Sequence, residues 1–265
     1  MPKILFTGGG TAGHITPNLA LIEKFQSENL GTCYVGSKNS LEKQIIGKTN
    51  VPFYEIPTGK LRREITLNNL LTPFKVVSGI FSAYKLLKKL KPEVVFSKGG
   101  FVSVPPCAAA ASLGIPVFSH ESDYTPGLAT KLNLPFSKRI FTAYADTIDM
   151  LKPQYRSKAQ AVGNPVRQAF YEGNADLGRK FLGLDPKSRI LLVLGGSQGA
   201  RQVNELVVRA FPELAKQYVV VHQTGPNLET ALSPSDRYKP YPYIKDELPH
   251  VLAAAELIVG RSGAG

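Results

Sequence analysis

Short apolar runs alternate with longer segments of helical period along the whole chain. Lys3–Thr7 contains the uninterrupted trio Ile4-Leu5-Phe6 and reads as a buried strand, and Pro17–Glu28 follows with Leu19, Ile22 and Phe25 spaced for one helix face. Thr32–Val35, Phe53–Ile56, Val94–Ser97, Val117–Ser119 and Ile140–Thr142 read as further strands, with helical stretches between most of them, including a crossover helix over Val76–Leu90. Strands joined by helices run parallel and are covered on both faces, so the expected class is α/β with parallel sheets. The pattern then begins again. Arg189–Leu194 is an apolar strand that ends in glycines, a helix runs from about Ala200 to Lys216, and Tyr218–His222 and Leu257–Val259 continue as strands. Two runs that each open strand, glycine loop, helix predict two Rossmann-like domains. Gly and Pro interrupt the pattern at Val162-Gly163-Asn164-Pro165, which places the expected domains at residues 1–163 and 164–265. Arg261-Ser262-Gly263-Ala264-Gly265 follows a strand and reads as one more glycine loop opening. The second domain is therefore expected to be incomplete and the sequence C-terminally truncated.

The glycine loops carry the first chemistry. Gly8-Gly9-Gly10-Thr11-Ala12-Gly13-His14 joins a strand to a helix, where free backbone N–H groups and the helix dipole favour phosphate or another polar ligand. No Gly-Lys-Ser/Thr follows, so it is not an NTPase phosphate loop. The strand at Thr32–Val35 ends in Gly36-Ser37 without an acidic residue, which makes it a poor dinucleotide fingerprint. Gly195-Gly196-Ser197-Gln198-Gly199-Ala200 repeats the arrangement, and Ser197 there either binds phosphate or simply caps a helix. A third loop, Ser97-Lys98-Gly99-Gly100-Phe101, follows the Val94 strand. Together they point to a cleft for a phosphorylated ligand. His14 stands on the first loop, where a histidine can act as a general base or merely hydrogen-bond at a helix start. His120 and Glu121 end another strand. No Cys/His cluster has metal-ligand spacing, so neither a metal nor a cofactor is expected.

Charge adds a partner. The 265 residues suffice for one domain and most of a second, and their formal net charge of +12 divides as +10 over residues 1–163 and +2 over the rest. Residues 60–91 hold Lys60, Arg62, Arg63, Lys75, Lys85, Lys88, Lys89 and Lys91 against Glu64 alone, interleaved with Leu61, Leu67, Leu70, Leu71, Phe74, Val77 and Phe81. Cations among aliphatic residues fit an anionic lipid surface, with Arg62, Arg63, Phe74 and Lys75 at its centre. A crossover helix with solvated lysines accounts for part of the same pattern. Nucleic acid is not an expected partner, because no stacking aromatics or known module accompany the charge. Cys33 and Cys107 are too few for a disulfide framework, and no apolar run approaches a membrane span or a signal-peptide core. A cytoplasmic protein is expected.

Seven motifs in order give a resemblance. Gly9-Gly10-Thr11-Ala12-Gly13-His14-Ile15-Thr16-Pro17, Gly99-Gly100-Phe101-Val102-Ser103, Leu113-Gly114-Ile115-Pro116-Val117, His120-Glu121, Gly163-Asn164-Pro165-Val166-Arg167, Gly195-Gly196-Ser197-Gln198-Gly199-Ala200 and Arg261-Ser262-Gly263-Ala264 resemble the MurG family over the whole length. That resemblance implies a GT-B fold: a first domain that meets the membrane and the acceptor, and a second that holds UDP-GlcNAc. It implies transfer of GlcNAc, with inversion, to undecaprenyl-pyrophosphoryl-muramylpentapeptide at the cytoplasmic face of the bacterial inner membrane, as a peripheral protein. Carried over by position, His14 is the candidate base, and Thr11, Ala12, Gly13 and Asp123 face the sugars. Arg167, Ser197 and Gln198 contact the UDP portion, Ile244 meets uracil through its backbone, and Ala264 opens the loop around the diphosphate. The family commonly reads His-Glu-Gln-Asn where this chain has His120-Glu121-Ser122-Asp123, and Thr-Gly-Gly where it has Thr11-Ala12-Gly13. The carboxyl at Asp123 favours the alternative of a related UDP-sugar transferase with another lipid acceptor. A non-catalytic nucleotide-binding protein is a further alternative, but it leaves the paired domains and the lipid-like segment unexplained.

Overall fold

The computed structural model describes residues 3–58, 72–196, 199–226 and 231–261. They form two compact units that meet in sequence between Arg167 and Gln168.

The first unit runs β1 (Ile4–Thr7), α1 (Ala12–Ser27), β2 (Thr32–Ser37), α2 (Leu41–Ile46), β3 (Phe53–Ile56), α3 (Thr72–Leu90) and β4 (Val94–Ser97). It continues with α4 (Val104–Ser112), β5 (Val117–Glu121), α5 (Leu128–Asn133), β6 (Ser137–Thr142), α6 (Asp146–Asp149), α7 (Pro153–Arg156) and β7 (Ala159–Ala161). The strands make one parallel sheet in the order β3-β2-β1-β4-β5-β6-β7. Side chains alternate across it. Ile4 and Phe6 of β1 join Tyr34 and Phe96 under Ile15 and Ile22 of α1 and Ile46 of α2. Leu5 joins Cys33, Val35, Val95 and Val117 under Ala83, Leu87 and Leu90 of α3 and Cys107, Ala109 and Ala110 of α4. Each fully buried aliphatic side chain contributes roughly 1.5–3 kcal/mol, so both layers are needed to hold the sheet. Both cysteines are free and buried, and burial pushes their thiols up to about 12, which leaves them as packing groups.

The second unit runs α8 (Ala175–Leu182), β8 (Ile190–Leu194), α9 (Arg201–Leu214), β9 (Val219–Gln223), β10 (Tyr238–Tyr241), α10 (Leu248–Ala254) and β11 (Leu257–Gly260). Its parallel sheet has the order β10-β9-β8-β11. Ile190, Leu192 and Val221 pack under α8 and α10, and Leu191, Val193 and Val220 under α9. Gly178 brings α8 so close to α10 that a Cβ there would stand 2.2 Å from the His250 carbonyl oxygen.

Three elements depart from the sequence reading. Helix α1 begins at Ala12, not Pro17, and carries Pro17 inside it; the helix gives up the bond to the Gly13 carbonyl and starts directly from the glycine loop. Strand β7, Ala-Gln-Ala, is too weakly apolar to read as a strand. Strand β10 contains Pro240, which reads as a breaker, but it lies at a sheet edge, where a missing N–H costs no ladder bond.

Helix α3 has one packed face and one exposed apolar face. Ala83, Leu87 and Leu90 face the sheet, while Phe74, Val77 and Phe81 remain 74%, 67% and 60% exposed. Lys75 is exposed beside them, and Lys85 holds its Nζ 4.5 Å above the Phe81 ring. Arg62 and Arg63 lie outside the described residues. Among the described residues no helix is long and apolar enough to cross a membrane.

Candidate active site

Neighbours β1 and β4 mark the point where the strand order of the first unit reverses, so the loops leaving their carboxyl ends diverge and open a crevice. A cavity of about 790 Å³ occupies that position. Its walls are Gly9, Gly10, Thr11 and His14 after β1, Ser37–Glu42 after β2, Gly100–Val102 after β4, and Glu121, Asp123 and Gly127–Thr130 after β5.

Buried polar groups hold the first glycine loop from below. Glu42, at the start of α2, is buried, and its carboxylate accepts the amides of Gly10 (3.3 Å) and Ser37 (3.1 Å). A Cβ on Gly9 would lie 2.6 Å from that carboxyl group. Asn18 donates to the Thr7 carbonyl and to Tyr34 Oη, and Tyr34 donates to the Gly8 carbonyl. From the other side Gly100, at φ 77° and ψ 152°, presses on Gly9, where an added Cβ would stand 2.2 Å from the Gly9 carbonyl oxygen. The two loops are thus fixed against each other as well as to the sheet.

His14 is oriented by that frame. Its Nδ1 lies 3.0 Å from the Gly9 carbonyl oxygen, which can only accept, so Nδ1 carries the proton. The Thr11 hydroxyl is 3.2 Å from the same nitrogen. Nε2 is left with its lone pair and faces the loop at Gly99. A neutral imidazole held this way can take a proton at Nε2 without breaking its anchoring bond.

The loop after β5 supplies the opposite wall. Glu121 is buried, and its carboxylate oxygens accept the amides of Asp123 and Gly127, each at 2.9 Å, so it braces the loop. Asp123 is exposed at the cavity. Beneath them Lys98 donates to His120 Nδ1 (2.6 Å) and to Ser122 Oγ, and His120 Nε2 donates to the Gly163 carbonyl (2.8 Å). Burial pushes Lys98 down to about 7 against the pull of Glu121 and Asp123. His120 falls to about 4, by burial first and then by the neighbouring Lys98.

The second unit repeats the support. Asn204 of α9 donates to the Thr224 carbonyl, which turns its Oδ1 toward His222 Nε2 (3.1 Å), and Tyr238 Oη lies 2.9 Å from His222 Nδ1. Gln223 donates to the Gly196 carbonyl and accepts the Ile244 amide at 3.0 Å, tying the loop after β8 to the chain after β10.

Of the residues expected at a site, Thr11, His14 and Asp123 line one cavity. Ala12 and Gly13 form the first residues of α1 behind it. Arg167 pairs with Glu23 of α1 at 3.0 Å, and Ile244 is buried with its amide already bonded. Ser197, Gln198 and Ala264 lie outside the described residues. Sequence reasoning missed Glu42 and the Lys98–His120 contact. Lys98 had a signal: a lysine between a buried strand and two glycines is placed where its stem has little route to water. Among the described residues no three His, Cys, Asp or Glu side chains gather where a metal ion could be held.

Residues 4–142 match the glycosyltransferase family 28 N-terminal domain and residues 190–265 its C-terminal domain. A UDP-N-acetylglucosamine–N-acetylmuramyl-(pentapeptide) pyrophosphoryl-undecaprenol N-acetylglucosamine transferase of Clostridium perfringens is 44% identical over 263 residues, which cover 99% of this chain and 73% of the relative. The corresponding transferase 2 of Bacillus cereus is 44% identical over 265 residues, covering 100% of this chain and 74% of its own. Among solved structures, Acinetobacter baumannii MurG superposes with a TM-score of 0.69 at 25% identity, over 99% of this chain and 73% of that one. The calicheamicin glycosyltransferase CalG4 gives 0.68 at 14% identity, over 100% and 75%, a likeness of fold alone.

Proposed function

The chain belongs to the MurG enzymes of glycosyltransferase family 28, and from that premise we propose that His14 is the base of its GlcNAc transfer. It is a GT-B, UDP-GlcNAc-dependent transferase of peptidoglycan synthesis, moving GlcNAc to the lipid-linked muramyl-pentapeptide. The observation that carries the role of His14 is its anchoring: Nδ1–H is spent on the Gly9 carbonyl, and Nε2 keeps its lone pair near the Gly99 loop, on a residue that lines the crevice. As the acceptor hydroxyl oxygen bonds to the anomeric carbon, the bond from that carbon to UDP breaks, UDP leaves with the electron pair, and the hydroxyl proton passes to Nε2. The imidazolium keeps its bond to the carbonyl, whose dipole favours the new charge. A single displacement of this kind inverts the anomeric centre. Thr11 and Asp123 orient the sugars from the walls of the cavity, with Ala12 and Gly13 setting the start of α1.

Arg167, Ser197, Gln198, Ile244 and Ala264 are assigned to UDP-GlcNAc by their places in the family motifs. For Arg167 the present partner is no obstacle: its exposed pair with Glu23 is worth roughly 0.2–1 kcal/mol, less than the roughly 1.5–3 kcal/mol of a charge-assisted bond to phosphate. Arg167→Ala and Ser197→Ala are each expected to weaken UDP about tenfold or more in calorimetric titration, with melting temperature unchanged. The same protein should release UDP from UDP-GlcNAc only when the lipid-pyrophosphate acceptor is supplied. Equal UDP affinity in both variants, or no acceptor-dependent release, would sink the assignment.

The exposed face of α3 supports peripheral attachment at the cytoplasmic face of the inner membrane. Phe74, Val77 and Phe81 can enter the interface while Lys75, with Arg62 and Arg63, holds anionic headgroups at about 1 kcal/mol each. Reversal of Arg62, Arg63 and Lys75 to Glu is expected to release the protein from anionic vesicles, and Phe74→Ser with Phe81→Ser to weaken binding at any salt. Co-sedimentation at low and high salt checks this; pelleting equal to the parent in both variants would leave α3 as a crossover helix only.

A further inference from the structure

Lys98 directly follows β4, in the middle of the first sheet, with 1% of its surface exposed. Taking an ammonium out of water costs several kcal/mol unless it is well partnered, so a lysine there needs an explanation that space-filling does not give. Both of its partners lie on β5 and the loop that follows: His120 Nδ1 at 2.6 Å and Ser122 Oγ. The far side of the imidazole fixes the direction of these bonds. Nε2 of His120 lies 2.8 Å from the Gly163 carbonyl oxygen, so Nε2 holds the proton and Nδ1 offers its lone pair to Lys98. Lys98 has N–H groups to donate as amine or ammonium, with the ammonium the stronger donor.

We propose that Lys98 is a positioning residue of the transfer reaction: it fixes the His120 tautomer that anchors Gly163, and through Ser122 it holds the loop that presents Asp123 to the crevice. Ser122 lies between two residues that are themselves constrained, since Glu121 accepts the Asp123 and Gly127 amides. Removing the Lys98 contact frees the middle of that loop. At the other end, Gly163 stands at φ 77°, a conformation open mainly to glycine, four residues before Arg167. One buried nitrogen thereby sets a wall of the crevice and the backbone that leads to Arg167. Lys98 is not among the residues that line the cavity; it acts through His120 and Ser122. The kinetic part of the proposal rests on the glycosyltransfer reading above, and the tautomer part does not.

The test is Lys98→Met, which keeps the length of the stem and removes the donor. kcat/KM is expected to fall about 10- to 100-fold, the usual loss on removing an outer partner of a working side chain, with most of the loss in kcat and little change in KM for UDP-GlcNAc. Lys98→Gln, which retains an N–H donor, is expected to keep more activity than Lys98→Met. Nitrogen-15 spectra of the imidazoles read the anchor directly. The parent protein should show His120 protonated at Nε2 with a hydrogen-bonded Nδ1, and Lys98→Met should move the Nδ1 resonance to that of an unbonded lone pair. Parent His120 protonated at Nδ1, or exchanging between tautomers, overturns the proposal even if Lys98→Met fails to fold. A folded Lys98→Met with parental kcat/KM overturns it as well. A parent that shows the expected tautomer but transfers no sugar counts against the glycosyltransfer reading, not against the anchor.

Discussion

His14→Ala is expected to lower kcat about 10²–10⁴-fold, the usual loss for a general base, while UDP-GlcNAc affinity changes little. The expectation follows from the division of labour within one ring. Nδ1–H is committed to the Gly9 carbonyl, so the side chain cannot rotate without losing a bond, and Nε2 is the nitrogen left to take a proton. His14→Gln separates the two jobs, because an amide can donate to Gly9 but offers no basic nitrogen. It should be nearly as slow as alanine. Steady-state rates across pH decide the matter. A loss below tenfold, with the acid limb of the profile retained, would transfer the role to Asp123. Glu121 is a poor heir, since its carboxylate oxygens already accept backbone amides.

Gly100→Ala should cost the first unit at least about 3 kcal/mol. The backbone there, φ 77° and ψ 152°, lies in a region essentially reserved for glycine, where another residue is strained by roughly 1–3 kcal/mol. The new Cβ would also stand 2.2 Å from the Gly9 carbonyl oxygen, an atom on a backbone that Glu42 and Tyr34 hold in place. At roughly 2–4 °C per kcal/mol for a unit of this size, the melting temperature should drop about 6–12 °C. Gly10→Ala is the matched control: it shares a positive φ of 86°, but nothing lies within 4 Å of its Cβ position. Similar melting of the two variants would mean that the contact with Gly9 is not what fixes the loops.

Much of the fold could be read from the sequence because its signals are local. The segments read as strands at Phe53–Ile56 and Val94–Ser97 end where the strands end, and each glycine loop stands where a strand passes into a helix or a helical turn. The candidate base was legible for the same reason, a histidine on a glycine loop. What holds it was not. Glu42 at the start of α2 reads as an ordinary solvated acid until the loops of β1 and β2 close over it, and the pair of Lys98 with His120 joins strands that only the sheet order makes neighbours. The Arg167–Glu23 pair spans 144 positions and has no local trace at all. Burial of a charge is a property of the assembled sheet, and no window of sequence contains it.

Strand β1 has a consequence for synthesis. Its partners are β2, nearby in sequence, and β4, where Ile4 pairs with Val94, ninety residues later. At roughly 5–20 residues per second, a ribosome needs about 5–18 s to deliver the second partner after the first strand has emerged. Through that interval Ile4, Leu5 and Phe6, all buried in the finished sheet, have one edge and much of their apolar surface open to other nascent chains. Slowing translation ahead of Val94 should therefore lower the soluble yield of this protein more than an equal pause placed after Ser97.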